Sequence, residues 1–291
     1  MDSETLQSLQ FDTGVIGWLY TIFNLGVRYL IFSGAAFLLF YVIKKKDWLY
    51  LKIQQKWPSA KNISTEIKYS LLSIAIFALL KTFLIWAYLQ GWTQMTTDFS
   101  EIGWGPFIIG TIGLIFLHDT WFYWTHRLMH HPKIFKRVHK IHHLSHNPTP
   151  WAAFSFHPIE AVIEFGFLPL AVFLFPVHIY TILIVGLYQI TFNVIGHLGY
   201  ELFPKGFTKG RISKWLNTST HHNMHHKLYQ CNYGLYFNIW DRIMGTNHKK
   251  YDETFDGIKA RQQKMKEEER LFRVELNPAT QSAQTQSHQA E

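Results

Sequence analysis

The chain has 291 residues, of which 48% are hydrophobic and only 16% are charged, well below the roughly 25% usual in soluble domains. Its net charge of +8 would suit a nucleic-acid partner, but the basic residues flank long apolar runs, as in the cytoplasmic loops of membrane proteins. The single cysteine, Cys231, excludes an intrachain disulfide and a cysteine-based zinc site. Composition therefore predicts an integral membrane protein with no nucleic-acid partner.

The first apolar run, residues 14–43, is interrupted by Arg28 and ends at the three lysines 44–46. At about 1.5 Å per residue, this run is longer than the roughly 30 Å hydrocarbon core of a bilayer. We therefore expect part of it to lie at the interface, with Arg28 reaching the surface or facing other helices. A second span is predicted at residues 69–92 and carries Lys81.

A third span begins near Trp104 and ends among the aromatic residues 122–124, beside the first histidines. Two further apolar stretches, at about 161–175 and 179–198, are joined at Pro176. They predict a hairpin that enters the membrane and returns to the same side.

The loops indicate the topology. Residues 44–68 are rich in lysine, whereas residues 93–103 contain no Lys or Arg. The positive-inside rule then places the first loop in the cytoplasm and the second outside. Every histidine cluster falls on the cytoplasmic face. We thus predict an all-α integral membrane protein with about four transmembrane spans or hairpin helices and a cytoplasmic histidine-rich helical cap that holds a dimetal site.

The domain prediction has three parts. Residues 1–103 form the N-terminal membrane spans, and residues 104–256 form a domain that contains the histidine clusters. Residues 257–291 contain a charged surface helix at about 257–274 and a disordered tail at 277–291, where Gln, Ser and Ala dominate.

Histidine is the most informative residue type, since 15 of the 17 histidines lie between positions 118 and 226. His126 and His130 are spaced i, i+4, and the pattern H-x-x-H-H occurs at 139–143 and again at 222–226. On a helix, residues i, i+3 and i+4 share one face, so each box is predicted to aim its imidazoles at one point. His197 stands alone at the end of the returning helix.

The number of these imidazoles indicates two metal ions. Structural zinc takes four ligands and catalytic zinc usually three plus water, so eight to ten imidazoles are too many for one ion. Neutral imidazole suits Zn, Cu, Fe and Ni, and these residues leave iron and zinc both open. One alternative is a non-redox zinc enzyme, although an H-E-x-x-H motif is absent. Another is a metal transporter or sensor, which would place ionisable residues midway along its spans.

Other histidines are expected to have ordinary roles. We interpret His178, His248 and His288 as hydrogen-bonded surface or core residues. His131 and His221 lie beside predicted ligands but about 100° away from the shared helix face, so they are expected to support the ligands or to face solvent.

Five motifs resemble those of the sterol desaturase and fatty-acid hydroxylase superfamily. They are HDTWFYWTHR at 118–127, HKIHH at 139–143 followed by PTP, HHNMHH at 221–226, NYG at 232–234 and WDRIMGT at 240–246. The resemblance covers about 112–246, and its last stretch is most similar to the sterol C5-desaturase (lathosterol oxidase) branch.

This resemblance implies two ions, nominally iron, that activate O₂ to hydroxylate or desaturate a lipid C–H bond. The ligands that it implies are His126, His130, His139, His142, His143, His197, His222, His225 and His226, with His118 as a further candidate. Some relatives have another histidine four residues before the equivalent of His197, where this chain has Asn193.

Further residues are expected to support the site. Asp119, Glu160, Asn193 and Asp241 are candidates to orient the imidazoles, although Asp241 could instead pair with Arg242. Aromatic residues near the boxes are expected to line an apolar slot or to form an interfacial belt. The substrate could be a sterol, a fatty acyl chain, a sphingolipid, an ether lipid or a carotenoid.

The reaction needs two electrons from outside the chain, because the sequence has no nucleotide-binding, haem or iron–sulfur motif. A separate donor is therefore expected, such as a ferredoxin, a cytochrome b5-like protein or a reductase. The basic residues Lys133, Lys136, Arg137 and Lys140 could attract an acidic donor or anionic lipid.

Overall fold

A computed structural model describes residues 14–275 of the chain, and the predicted tail at 277–291 lies outside them. The helices are α1 (Val15–Ile43), α2 (Ala60–Leu89), α3 (Phe99–Ile102), α4 (Trp104–Met129), α5 (Pro132–Val138), α6 (Pro158–Phe165), α7 (Phe167–Leu174), α8 (Ile179–His197), α9 (Ser219–Leu228), α10 (Ile239–Ile243) and α11 (Tyr251–Glu275). The two strands are β1 (Met95–Thr96) and β2 (Val177–His178). Short 3₁₀ turns occupy Leu49–Leu51, His142–Leu144, Pro150–Phe154, Phe207–Lys209 and Ser213–Trp215.

Four helices, α1, α2, α4 and α8, are long and apolar enough to cross a membrane. The prediction of an all-α membrane protein with about four spans is therefore confirmed. Helix α2 begins at Ala60, earlier than the predicted start near Tyr69. The reason is a polar cap, because the Ser59 side chain accepts a hydrogen bond from the Asn62 N–H at 3.2 Å.

The predicted hairpin is present, but its first arm is broken into α6 and α7 at Gly166. Pro169 explains the break, since proline lacks an N–H and its ring clashes with the carbonyl four residues earlier, at Phe165. Strand β1 pairs in parallel with β2, with Met95 opposite Val177. The turn of the hairpin therefore lies at the same end of the bundle as the loop after α2.

The segment that follows the second histidine box is tied to the first two spans. The hydroxyls of Tyr29 on α1 and Ser70 on α2 both donate to the Trp151 carbonyl, at 2.7 and 2.8 Å. The buried Glu66 carboxyl accepts from the Thr149 hydroxyl. These bonds hold residues 149–151, which follow the second box, against α1 and α2. Both helices lie outside the region that the sequence motifs cover.

Helix α11 replaces the predicted surface helix at 257–274 and begins earlier, at Tyr251. Its Phe255 side chain is fully buried. Lys259 donates to the Glu201 carbonyl at 3.0 Å, and Gln262 donates to the Leu51 carbonyl at 3.2 Å. One face of α11 is therefore docked on the loops at the histidine end of the bundle.

Candidate metal centre

Nine of the ten predicted ligands converge in two groups. Within each group, the ligand nitrogens all lie within 4.8 Å of one another. The five-histidine group comprises His126, His130, His139, His143 and His225. The four-histidine group comprises His142, His197, His222 and His226. All are buried except His130, which is half-buried. His118 belongs to neither group.

The groups do not follow the sequence boxes. His139 caps the end of α5, and His142 and His143 lie in a 3₁₀ turn rather than on an α-helix. His139 and His143 face the five-histidine group, whereas His142 faces the other. On α9, His225 joins the first group, and its neighbours at 222 and 226 join the second. The prediction that each box aims at one point is thus wrong, because both H-x-x-H-H boxes serve both groups.

Backbone carbonyls fix the proton on four of these rings. The Nδ1 atoms of His126, His142, His197 and His225 donate to the carbonyls of Tyr233 (2.8 Å), Ser155 (3.2 Å), Asn193 (2.8 Å) and Cys231 (2.7 Å), respectively. A neutral imidazole with its proton on Nδ1 has a lone pair on Nε2. These Nε2 lone pairs point into the centres of the groups. These hydrogen bonds therefore hold the four rings in the tautomer that can bind a metal ion through Nε2.

The Nε2 atoms within each group lie close together around a common centre. His143 Nε2 is 3.1 Å from that of His130, 3.1 Å from that of His139 and 3.0 Å from that of His225. His226 Nε2 is 3.1 Å from that of His197. Lone pairs that face one another at this distance repel unless a proton or a metal ion lies between them. The donor set therefore fits a metal ion in each group.

Burial also keeps the imidazoles in their ligand form. Desolvation, reinforced by neighbouring imidazoles, holds the pKa of His139 and His143 well below the usual range and lowers the pKa of His130 to about 2. These rings are therefore neutral at physiological pH.

One supporting carboxylate contacts a histidine ring directly, and two others act through the backbone. Glu160 Oε1 lies 2.6 Å from His139 Nδ1 and orients that ring directly. Asp241 accepts from the N–H groups of Tyr233 (2.9 Å) and Gly234 (2.8 Å), so it positions the carbonyl that holds His126. Asp119 accepts from the N–H of Tyr236 at 2.7 Å in the same loop.

One predicted supporting residue acts through its backbone, and the alternative contact of Asp241 is replaced by another. Asn193 contributes its backbone carbonyl to His197. The alternative partner of Asp241, Arg242, donates instead to the Asn238 side chain at 2.8 Å.

The remaining histidines lie around the groups. His118 packs between the rings of Phe167 and Tyr236, and its Nδ1 has no hydrogen-bond partner within residues 14–275. His131 is exposed and caps α5, as one of the two predicted alternatives had it. His221 is fully buried, with Nε2 3.7 Å from Asp241.

The histidines predicted to have ordinary roles are placed as follows. His178 is buried and its Nδ1 accepts from the Tyr180 N–H at 3.1 Å. His248 Nδ1 accepts from the Lys250 N–H at 3.2 Å. His288 lies outside the described residues.

An apolar cavity lined by residues of all four spans and of α6 and α7 extends to side chains that pack against the metal groups. The Phe122 ring in its wall lies 5.0 Å from His126, and the Phe156 ring lies 5.3 Å from His142. His118 and Glu164 also line the cavity. Sequence reasoning missed Glu164, although a carboxylate one helical turn after Glu160 in an apolar stretch was a visible signal.

A helical membrane protein with this centre at the end of an apolar cavity has the organisation of a membrane-bound oxidoreductase that acts on lipids. The chain belongs to the fatty acid hydroxylase family, in its sterol desaturase branch, and residues 111–246 match the family model "Fatty acid hydroxylase". No solved structure matches the chain.

Three relatives illustrate the relationship. The Delta(7)-sterol 5(6)-desaturase ERG3B of Gibberella zeae is 33% identical over 79% of this chain and 72% of its own length. The lathosterol oxidase of Rattus norvegicus is 31% identical over 82% and 77%. The lathosterol oxidase of Homo sapiens is 30% identical over 78% and 74%.

Proposed function

We propose that this protein is a di-iron, O₂-dependent oxidase that hydroxylates or desaturates a C–H bond of a sterol or fatty-acyl lipid. The observation that carries the proposal is the pair of imidazole groups, five and four, with Nε2 lone pairs aimed inward. When bound there, iron would supply the O₂ activation that no side chain provides. A sterol substrate is supported by the sterol desaturases and lathosterol oxidases among the relatives.

The residues of the chain have distinct tasks in this proposal. The nine imidazoles of the two groups hold the ions, and Glu160 fixes the ring of His139. The aromatic walls of the cavity, such as Phe122 and Phe156, exclude water and hold the apolar body of the lipid against the centre. His118 lines the cavity two helical turns from His126, which supports a role beside the lipid rather than on a metal.

The electron donor is proposed to dock on α5. Lys133, Lys136 and Arg137 are exposed on α5, and Lys140 is exposed just after it. These cations would attract an acidic redox protein such as a ferredoxin or a cytochrome b5-like protein. The half-buried Phe135 on the same helix lies 5.3 Å from the His130 ring and 5.6 Å from the His143 ring. The donor would thus come close to the five-histidine group. The charge of the loops supports a cytoplasmic position for this face.

Metal analysis tests the proposal. Protein purified anaerobically should contain close to two irons per chain, and removal of the iron should abolish oxidation of the lipid. Stoichiometric zinc without iron, together with no iron-dependent activity, would show that the chain is a non-redox zinc enzyme instead.

A further inference from the structure

Two basic side chains line the cavity deep within the membrane part of the molecule. Arg28 on α1 and Lys81 on α2 both line the cavity that extends toward the histidine groups. They are near enough for their positive charges to repel each other. Neither forms a hydrogen bond or an ion pair with any residue of the described chain. Cationic groups do not bind metal ions, so this pair does not indicate a metal transporter.

The charges that line the cavity do not balance. Glu164 is the one carboxylate among the lining residues, against the two cations. It lies one helical turn after Glu160, which contacts His139, so it is at the histidine end of the cavity. Unpaired charges at membrane depth are costly and usually mark a functional site with a partner of opposite charge. The cavity therefore lacks an anion at the end where Arg28 and Lys81 lie.

Helix α8 gives the distance between the two ends. A β-carbon at Gly186 would lie 3.5 Å from Arg28 Nη1, and a β-carbon at Gly196 would lie 3.3 Å from the His222 ring. Ten residues of α-helix separate these glycines, which corresponds to ~15 Å along the axis. The Arg28 guanidinium therefore lies at a distance from the four-histidine group that the apolar body of one lipid molecule can span.

We infer that Arg28 and Lys81 form a binding subsite for a carboxylate at the far end of the lipid substrate. The inference rests on the proposed lipid oxidation and narrows its substrate class. The ligand has an elongated apolar body, which fills the cavity, and an acidic group remote from the carbon that approaches the histidines. Both a fatty acid and a steroid with a carboxylate on its side chain have this chemistry. A sterol whose one polar group lies next to the reacting carbon does not use this subsite.

Direct binding tests the inference without turnover. The full chain in phosphatidylcholine nanodiscs, kept anaerobic, is titrated with radiolabelled palmitic acid and then with cholenic acid, a steroid acid, as competitor. The methyl esters of both acids serve as neutral counterparts, and empty nanodiscs give the background. At least one acid should bind at least tenfold more tightly than its ester, and the tighter acid identifies the apolar body. The inference would be overturned if each methyl ester bound as tightly as its own acid.

Variants assign the preference to the two cations. Arg28→Met and Lys81→Met should each reduce the preference for acid over ester at least tenfold. Lys81→Arg, which retains the charge, should keep it. Lys68→Met is the matched control, because Lys68 is exposed on the same helix, outside the cavity.

An unchanged preference in both methionine variants would contradict the subsite. Because binding is measured without oxidation, a loss here is distinguishable from a failure of the di-iron proposal, which metal content tests separately.

Discussion

At the scale of single residues, the hydrogen-bond acceptor at the Nδ1 atom of each imidazole matters as much as the imidazole itself. Four rings donate to backbone carbonyls, and His139 contacts a buried carboxyl. Such partners set the tautomer and the direction of a ligand. The rings are therefore oriented largely by backbone carbonyls, of which Asn193 lies on α8 and Tyr233 in the NYG motif.

The two groups are expected to act as one centre. His142→Ala removes a ligand from the four-histidine group, and His225→Ala removes one from the other group. Each should abolish product formation with an added electron donor, because a lost ligand leaves its ion misplaced. The double variant should be no worse than either single variant, since residues that act as a unit are not additive.

His248→Ala is the control for these variants, as His248 lies outside both groups. Substantial activity in His142→Ala or His225→Ala, at normal abundance in the membrane, would disprove a single centre.

Substitution of Glu160 should reduce activity less than substitution of a histidine ligand. Glu160→Ala removes the carboxyl that lies 2.6 Å from His139 Nδ1 and leaves that ring free to rotate. We expect Glu160→Ala to lose about 10–100-fold in iron affinity or activity. Glu160→Gln should have an effect between those of the wild type and Glu160→Ala. Iron titration of the metal-free protein measures the affinity. The exposed Glu267→Gln on α11 should match the wild type, and equal affinities for all three variants would remove Glu160 from the site.

At the scale of elements, the loop after α1 is held to the rest of the molecule by a buried lysine. Lys52 is fully buried, and its ammonium lies over the rings of Tyr41, Trp57 and Tyr200 at 5.1–5.5 Å. Burial, and then the nearby Arg261, lowers the pKa of Lys52 to about 8. The aromatic rings offset part of the cost of the buried charge.

This lowered pKa predicts a dependence of stability on pH. Between about pH 8 and the unfolded lysine pKa of about 10.4, the unfolded chain binds more protons than the folded protein. The contribution of Lys52 to stability therefore rises with pH across this window. Thermal unfolding of the wild type and Lys52→Met at both ends of the window measures it.

The difference in melting temperature, wild type minus Lys52→Met, should increase as the pH rises. The exposed Lys56→Met provides the baseline. A difference that stays constant across the window would mean that the folded protein does not disfavour the charged form of Lys52.

At the scale of the whole molecule, the charge of the loops predicts the orientation in the membrane. Cysteines introduced at 93–103 should react with an impermeant reagent in intact cells, whereas cysteines near Lys45 and Lys140 should react only after the membrane is opened. The native Cys231 is buried, so its background labelling should be low. Labelling with the opposite sidedness would place the histidine face outside the cytoplasm.

Sequence patterns were sufficient for the spans and for eight of the nine grouped histidines, because long apolar runs and repeated boxes are local signals. His197 stands outside the boxes, and only the family resemblance pointed to it. The sequence patterns could not predict the division into five and four. That division arises because the chain turns tightly at 142–144, and no residue type there requires a 3₁₀ turn. Arg28 and Lys81 were visible as charges within spans, but only the packing of four helices shows that they face one cavity.

The spacing of the ligands along the chain has a consequence for how the protein is made. The five-histidine group draws on residues from His126 to His225, and the four-histidine group draws on residues from His142 to His226. Neither set is complete until α9 has left the ribosome, on the order of 5–20 s after the first ligand at ordinary rates of synthesis. In the proposed centre, metal loading would therefore be a late step of biogenesis that follows insertion of all four spans. Each of the two proposed ions would close loops of tens of residues, as a cross-link does, and would thereby stabilise the inserted bundle.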